Sequence, residues 1–368
     1  MNWNVIPEDQ PTPSLRISAE IARKNILSMQ AYCNQHHLKL RPHTKTHKSI
    51  RMAKEQMAAG AAGLTVAKAG EAEVMSHASN DIMIAYPAVG SSRLRRVMDL
   101  AKTNQLRIGI DSRDAAEILQ SASRNAGVKL GIMVDVEVGF HRTGVLDPEL
   151  AIELCEFVSK QNHLILEGLM CFPGHIQPSS DDALWQGYEA SLERVIVELK
   201  RKGIEAKTIS GGSTPTAKMS HRNRFLNEIR PGTYIYNDLN EVRLGVCSWD
   251  DCAARVLATV VSVPEPNKFV VDAGSKTLSS DRNSVDPDKA GFGHVVDYPT
   301  AKIMRLSEEH GEVVIPAEQL ESKKPKVGDR VWIIPNHICV CVNLQNHYYL
   351  IDEGQLVVMP VDARGMLV

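Results

Sequence analysis

The chain has 368 residues, 43% of them hydrophobic and 23% charged, and a formal net charge of -2. That length suits one large domain with a smaller partner. The near-neutral balance, without a basic arm or a block of like charge, argues against nucleic acid or an anionic membrane surface as a main partner.

The first residues, MNWNVIPEDQPTP, have neither a basic n-region nor an apolar h-region. No later stretch approaches about 18 consecutive apolar residues, so a soluble cytoplasmic protein is expected. The seven cysteines are scattered and lack CxxC spacing, which argues against a disulfide framework and suits small buried hydrophobes.

Helical spacing predicts a first long helix around residues 18–34. Eight short apolar runs follow between positions 38 and 236: LKLRPHTK, AGLTVAK, DIMIAYP, QLRIGID, VKLGIMVDVEV, LILEGLMCF, AKTISGG and NEIRPGTYIY. Segments such as DAAEILQSASRNA and EASLERVIVELKRKG lie between them and carry apolar residues at helical spacing. Eight strands alternating with helices predict a (β/α)8 barrel over residues 12–240. A doubly wound open sheet shares the alternation, but the strand count favours the barrel.

After about residue 240 the runs alternate with period two and lose their helical spacers, as in RVLATVVSV, KFVVDAG, DRVWIIPNHICVCVNL and HYYLID. This predicts a C-terminal antiparallel β domain over residues 241–368, with residues 1–11 packing against it.

A barrel places its chemistry at the carboxyl ends of its strands. The first run ends in Arg41-Pro42-His43-Thr44-Lys45-Thr46-His47-Lys48. Read as a strand, it puts His43, Lys45 and His47 on one face. An amine among basic groups and away from water loses its preference for the ammonium form, and a neutral amine forms a Schiff base. Lys45 is therefore a candidate covalent anchor; the alternative is a solvated basic strand end. Lys68, Tyr86 and Asp111 close the next three runs. The fifth leads into Gly139-Phe140-His141-Arg142-Thr143-Gly144 and the sixth into Gly174-His175.

The seventh run ends in Ser210-Gly211-Gly212-Ser213-Thr214. Glycines let backbone amides approach an anion and the two hydroxyls add donors, so this turn is a phosphate candidate. A strand-end lysine with a phosphate site points to pyridoxal 5'-phosphate, although Schiff-base aldolases of phosphorylated sugars meet the same two needs. The absence of GxxxxGK[ST] and GxGxxG removes the nucleotide readings. In the C-terminal domain, His337-Ile338-Cys339 reads as part of a strand. There residues i and i+2 share a face, and imidazole plus thiolate suits zinc. Two ligands would leave open positions for water and substrate, the pattern of a Lewis-acid metal; coincidence is the alternative.

RPHTKTHKS, TVAKAGEAEV, DIMIAYPAVG, VGFHRTGV, GLMCFPGH, SGGSTPT, RPGTYIYND, SEEHG and PNHICVCVNL together resemble the D-threonine aldolase and D-serine dehydratase family, from about residue 10 to the end. Its members are fold-type III pyridoxal phosphate enzymes with an alanine-racemase-like barrel and a C-terminal β domain. The resemblance implies that Lys45 carries the cofactor and that Arg142 donates to its phenolic oxygen. Gly212, Ser213 and Thr214 would cradle its phosphate, with Tyr234 alongside. His337 and Cys339 would bind a divalent metal, zinc or manganese. His47 becomes either an acid/base group or a residue orienting the lysine.

One departure is expected to matter. Family members usually carry a tyrosine before the Gly-His, near the pyridine nitrogen, where this chain has Phe172. His175 is a possible substitute, or an ordinary structural histidine. The implied activity is a lyase acting on small D-3-hydroxy amino acids, with D-threonine aldolase ahead of D-serine dehydratase. A non-catalytic pyridoxal phosphate carrier and a racemase remain as alternatives, and a homodimer is implied.

Overall fold

The computed structural model describes Trp3 and residues 9–287, 290–317 and 324–368. It divides into two units. One comprises residues 26–45, 49–232 and 365–368. The other comprises the described residues up to Asn25, Thr46–Lys48, and the described residues of Thr233–Arg364.

The chain enters through β1 (Ser14–Ser18) and α1 (Ala19–Gln35). Eight strands then follow: β2 (Lys39–Leu40), β3 (Leu64–Val66), β4 (Asp81–Ile84), β5 (Gln105–Ile110), β6 (Leu130–Asp135), β7 (Leu164–Met170), β8 (Thr208–Gly211) and β9 (Glu228–Ile229). All pair in parallel in the order β2-β9-β8-β7-β6-β5-β4-β3. The chain beyond β2 closes the circle on β3. Thr65 N–H donates to Pro42 O at 2.9 Å, Thr44 N–H donates to Thr65 O at 2.8 Å, and His43 bridges Thr65. This is the expected barrel, one strand from each predicted run.

Helices α2 (Ile50–Ala58), α3 (Ala69–Met75), α4 (Ser91–Ala101), α5 (Arg113–Ala126), α6 (Pro148–Ser159) and α7 (Asp182–Arg201) supply the crossovers. Local sequence sets their ends. Ser112 accepts from Ala115 N–H to start α5, and Gly127, at φ 68°, ends it in the left-handed conformation glycine tolerates. Asp147 caps α6 with Pro148 just inside, and Asp181 caps α7.

Inside the barrel, Arg41 is buried. Its Nε donates to Glu228 Oε2 at 2.9 Å and its Nη1 to Asp81 Oδ1 at 2.7 Å. Arg107 also reaches Asp81, and the Ser210 hydroxyl donates to Glu228 Oε1 at 2.7 Å. One guanidinium thus links β4 and β9 to the end of β2.

The other unit is built on a nine-stranded sheet. Its strands are β1 with β10 (Ala254–Glu265), β11 (Lys268–Val271), β12 (Gly293–Val295), β13 (Lys302–Leu306), β14 (Gly311–Val314), β15 (Arg330–Pro335), β16 (His347–Asp352) and β17 (Gln355–Pro360). The order is β11-β14-β13-β12-β15-β10-β1-β16-β17. Pairing is antiparallel except that β1 lies parallel to β16. Much of the N-terminal stretch expected to pack with this sheet lies outside the described residues. Of those described, the Trp3 ring stands 5.2 Å from that of Trp332, and Gln10 O accepts from Arg330 Nη2 at 3.0 Å.

Two short helices here, α8 (Leu239–Arg243) and α9 (Ser275–Leu278), precede a third, α10 (Ile338–Leu344). This last element corrects the strand expected through His337 and Cys339. Strand β15 stops at Pro335, His337 is the N-cap, and Ile338, Cys341 and Val342 are the buried residues, at helical spacing. Buried Asn336 makes the break by donating to Asp281 O and Gly291 O at 3.0 and 2.8 Å.

The buried ion network sets a stability prediction. Arg41→Met leaves the Glu228 carboxylate without its counter-charge and Asp81 with Arg107 alone, and should cost about 3–5 kcal/mol in urea unfolding. Adding Glu228→Leu should recover part of that loss.

Candidate active site

The segment around Lys45 is a turn and not the strand expected from period-two alternation. After the His43 bridge the chain turns through residues 44–47, because Thr44 spends its N–H and hydroxyl on Thr65 O and Lys48 takes φ 51°. His43, Lys45 and His47 therefore do not share a face. Lys45 is exposed, and its N–H approaches His43 Nδ1 at 3.4 Å. Burial among basic groups, the argument for a neutral amine, does not describe it. His47 is fully buried, with its ring edge-on to Tyr236 at 6.5 Å. The turn is shared between the units, Lys45 counting with the barrel and His47 with the β unit.

The other strand ends carry the polar groups the barrel reading anticipates. Lys68 Nζ stands 3.4 Å from the Tyr86 ring centroid. Asp111 Oδ2 accepts from Gly144 N–H at 3.2 Å, and Asp135 Oδ2 accepts from the Thr143 hydroxyl at 3.0 Å. Arg142 is exposed, its guanidinium 4.6 Å from the Phe172 ring centroid and 5.3 Å from that of Phe140. Phe172 thus offers a π face to a cation, which a ring without a hydroxyl can do. His175 packs against Gly139, where an added Cβ would come within 2.8 Å of Nε2, and it lines a cavity of about 460 Å3 together with Glu137, His141, Leu184 and Arg194. Burial lowers its pKa, and among the described residues its Nδ1 has no hydrogen-bond partner.

The glycines of the turn after β8 pack against neighbouring side chains. A Cβ on Gly211 would stand 2.5 Å from the Tyr188 hydroxyl. Gly212, at φ 76°, would bring one within 3.2 Å of Ser220 Oγ. Only glycine lets the backbone lie this close to those side chains, which fill the space a Cβ would take. Ser213 and Thr214 are buried beside it. The Ser213 N–H, however, already donates to Thr216 Oγ1 at 3.1 Å, and a 3-10 helix, Ala217–Arg222, follows. The Ser213 hydroxyl likewise lies 3.1 Å from Thr216 Oγ1.

In the β unit, Tyr234 is buried in the 3-10 turn Thr233–Ile235. His337 and Cys339 come together at the start of α10, and their proximity owes nothing to strand parity. Asp238 Oδ2 holds His337 Nδ1 and the Ile338 N–H, each at 3.0 Å, which leaves His337 Nε2 as the ring nitrogen that Asp238 does not engage. Cys339 Sγ lies 3.1 Å from the Thr46 hydroxyl. The Cys339 sulfur, followed by the Asp238 carboxylate, outweighs burial and pushes the His337 pKa up to about 11. Among the described residues no group of three or more histidine, cysteine, aspartate or glutamate side chains is arranged to hold a metal ion. Cys341 is fully buried, with Sγ 3.0 Å from Thr277 O, and belongs to the core. Sequence reasoning missed Asp238, whose only signal was its N-cap position before Leu239.

Two family models divide the chain. The alanine racemase N-terminal domain matches residues 17–240, and a putative serine dehydratase domain matches residues 253–351. The chain belongs to this family of fold-type III pyridoxal phosphate enzymes. It is 28% identical to D-threonine aldolase of Arthrobacter sp. over 96% of this chain and 93% of that protein. It is 29% identical to D-threo-3-hydroxyaspartate dehydratase of Delftia sp. over 89% and 90%. The crystal structure of D-threonine aldolase from Filomicrobium marinum superposes with a TM-score of 0.88 at 27% identity, covering 98% of each chain. The protein is accordingly a pyridoxal phosphate-dependent lyase. Among its described residues no helix is long and apolar enough to cross a membrane.

Asp135 gives the site a pH signature. Burial, outweighing the Thr143 hydroxyl and Arg230, raises its pKa to about 6 from an ordinary 3.8. Between those values the folded cofactor-free protein holds a proton that the unfolded chain has lost. Stability should therefore fall as pH rises from about 4 to about 6 and level off above, by on the order of 2–3 kcal/mol. Urea midpoints of Asp135→Asn should lack that share of the slope; an unchanged slope would refute it.

Proposed function

We propose that this lyase cleaves D-3-hydroxy amino acids with the help of a divalent metal ion, zinc or manganese. The observation that carries the reading is Lys45, an exposed amine in the turn that follows closure of an alanine-racemase-type barrel. Bound pyridoxal phosphate supplies an electron sink conjugated to the substrate nitrogen. Lys45 Nζ is the group that would attach it. Arg142, held over Phe172 and Phe140, would donate to an anionic oxygen of the cofactor, and Gly212, Ser213 and Thr214 would receive its phosphate. His337 Nε2 and Cys339 Sγ would hold the metal, whose contribution is to polarise a substrate hydroxyl.

The reaction placed first is retro-aldol cleavage of D-threonine, in which a base takes the β-hydroxyl proton and glycine and an aldehyde result. His47 is the proposed acid/base or orienting group. Matches of similar identity to a D-threonine aldolase and to a D-threo-3-hydroxyaspartate dehydratase support the lyase class that both readings share. A second reading, dehydration of D-serine or a related hydroxy acid, is favoured by one observation, the thiol of Cys339 beside His337. A cysteine-to-alanine variant of the Delftia dehydratase has been solved in a metal-free form. In that reaction Lys45 would take the Cα proton and hydroxide would leave, giving a 2-oxo acid and ammonia. A homodimer belongs to the same proposal.

The test is to incubate the purified protein with D-threonine and with D-serine, before and after chelation. Glycine and acetaldehyde from D-threonine, lost on chelation while the cofactor stays bound, is the expected result. Oxo acid and ammonia from D-serine would move the assignment to the dehydratase. No product from either would defeat both readings.

A further inference from the structure

The segment that carries Arg142 is closed at its base. Val136 and Val145 form a parallel bridge, Val145 N–H donates to Asp135 O at 2.8 Å, and Glu137 N–H donates to Val145 O at 3.1 Å. Between these points the chain wraps around one carboxylate. Glu137 is buried and accepts the Gly139 N–H, while the N–H groups of His141, Phe140 and Arg142 also converge on it. Burial acts to raise the Glu137 pKa, but these four donors outweigh it and leave the carboxyl below its usual range.

The wrap depends on φ of 114° at Gly139, 56° at His141 and 106° at Gly144. For His141, which carries a Cβ, the left-handed conformation is strained. At Gly144 an added Cβ would stand 2.8 Å from the Glu137 nitrogen. The loop is tied again just after Arg142, by Thr143 to Asp135 and by Gly144 to Asp111. A strained loop fastened on both sides of one residue holds that residue's backbone in place. The Arg142 guanidinium reaches out from it over two rings and forms no ion pair among the described residues.

We propose that Glu137 is a positioning residue: by gathering the amides of residues 139–142 it fixes Arg142 in its working orientation before the cofactor arrives. This rests on the pyridoxal phosphate reading above. A neutral amide at 137 presents one acceptor oxygen where the carboxylate presents two, and it brings N–H groups toward the converging donors. Arg142 then leaves its orientation and pays the ordering cost on binding.

The experiment has two arms. In the cofactor-free protein, hydrogen exchange at residues 139–142 should be faster in Glu137→Gln than in wild type, with exchange in α5 and α6 unchanged. In the second arm, pyridoxal 5'-phosphate is titrated into wild type, Glu137→Gln, Arg142→Gln and the double variant. Glu137→Gln should weaken binding by roughly tenfold or more and shift the visible band of the bound cofactor. In the Arg142→Gln background the same change should cost less than about twofold, because its route of action has gone.

Equal losses in both backgrounds, or unchanged exchange at residues 139–142, would overturn the proposal. Should Glu137→Gln fail to fold, Thr143→Val enters the same cycle with the same criterion. A wild-type protein that does not bind pyridoxal 5'-phosphate refutes the cofactor reading itself, while the exchange arm still judges the loop.

Discussion

Arg41 is the constraint on which the barrel depends. A guanidinium shut away from water needs its charge matched and its donors used. Here Glu228 and Asp81 do both, drawing the end of β2 toward β9 and β4. The next residues, Pro42 to Thr44, then have Thr65 as their partner and close the barrel. Lys45 is the first residue beyond the closure, and it is exposed because the backbone turns there. An interior ion pair thereby decides where a surface amine emerges.

The eight barrel strands were legible because each is an apolar run bounded by turn residues, and the register survives even where β2 and β9 pair over only two residues. Less legible were the places where a polar contact overrides a pattern. The alternation His43, Lys45, His47 predicts one face, but the Thr44 side chain bonds to Thr65 O and the strand ends. Ile-Cys-Val-Cys-Val looks like a strand by β-branched content. Its buried positions, 338, 341 and 342, are helical, and Asp238 supplies the missing cap from a distant part of the chain. β1 was invisible as part of the sheet because its partners, β10 and β16, lie over two hundred residues away.

The candidate site follows the same division. Lys45, Arg142 and the Gly211-Gly212 turn could be named from their place after apolar runs, since a barrel's strand ends are its working face. The supporting groups could not. Asp135 and Glu137 read as ordinary polar residues, and Asp111 only as a strand end, until the loop they hold is seen. Asp238 reads as a helix cap until its second role, on His337, is seen. Supporting residues act through geometry, and geometry has no signature in spacing alone.

The central claim is that Lys45 carries the cofactor. Its most direct test is borohydride reduction of the protein loaded with pyridoxal 5'-phosphate, followed by peptide mass spectrometry. The account predicts the pyridoxyl mass on the peptide containing Lys45 and its loss in Lys45→Ala. Labelling of another lysine, or no label on a protein that has taken up the cofactor, would contradict it.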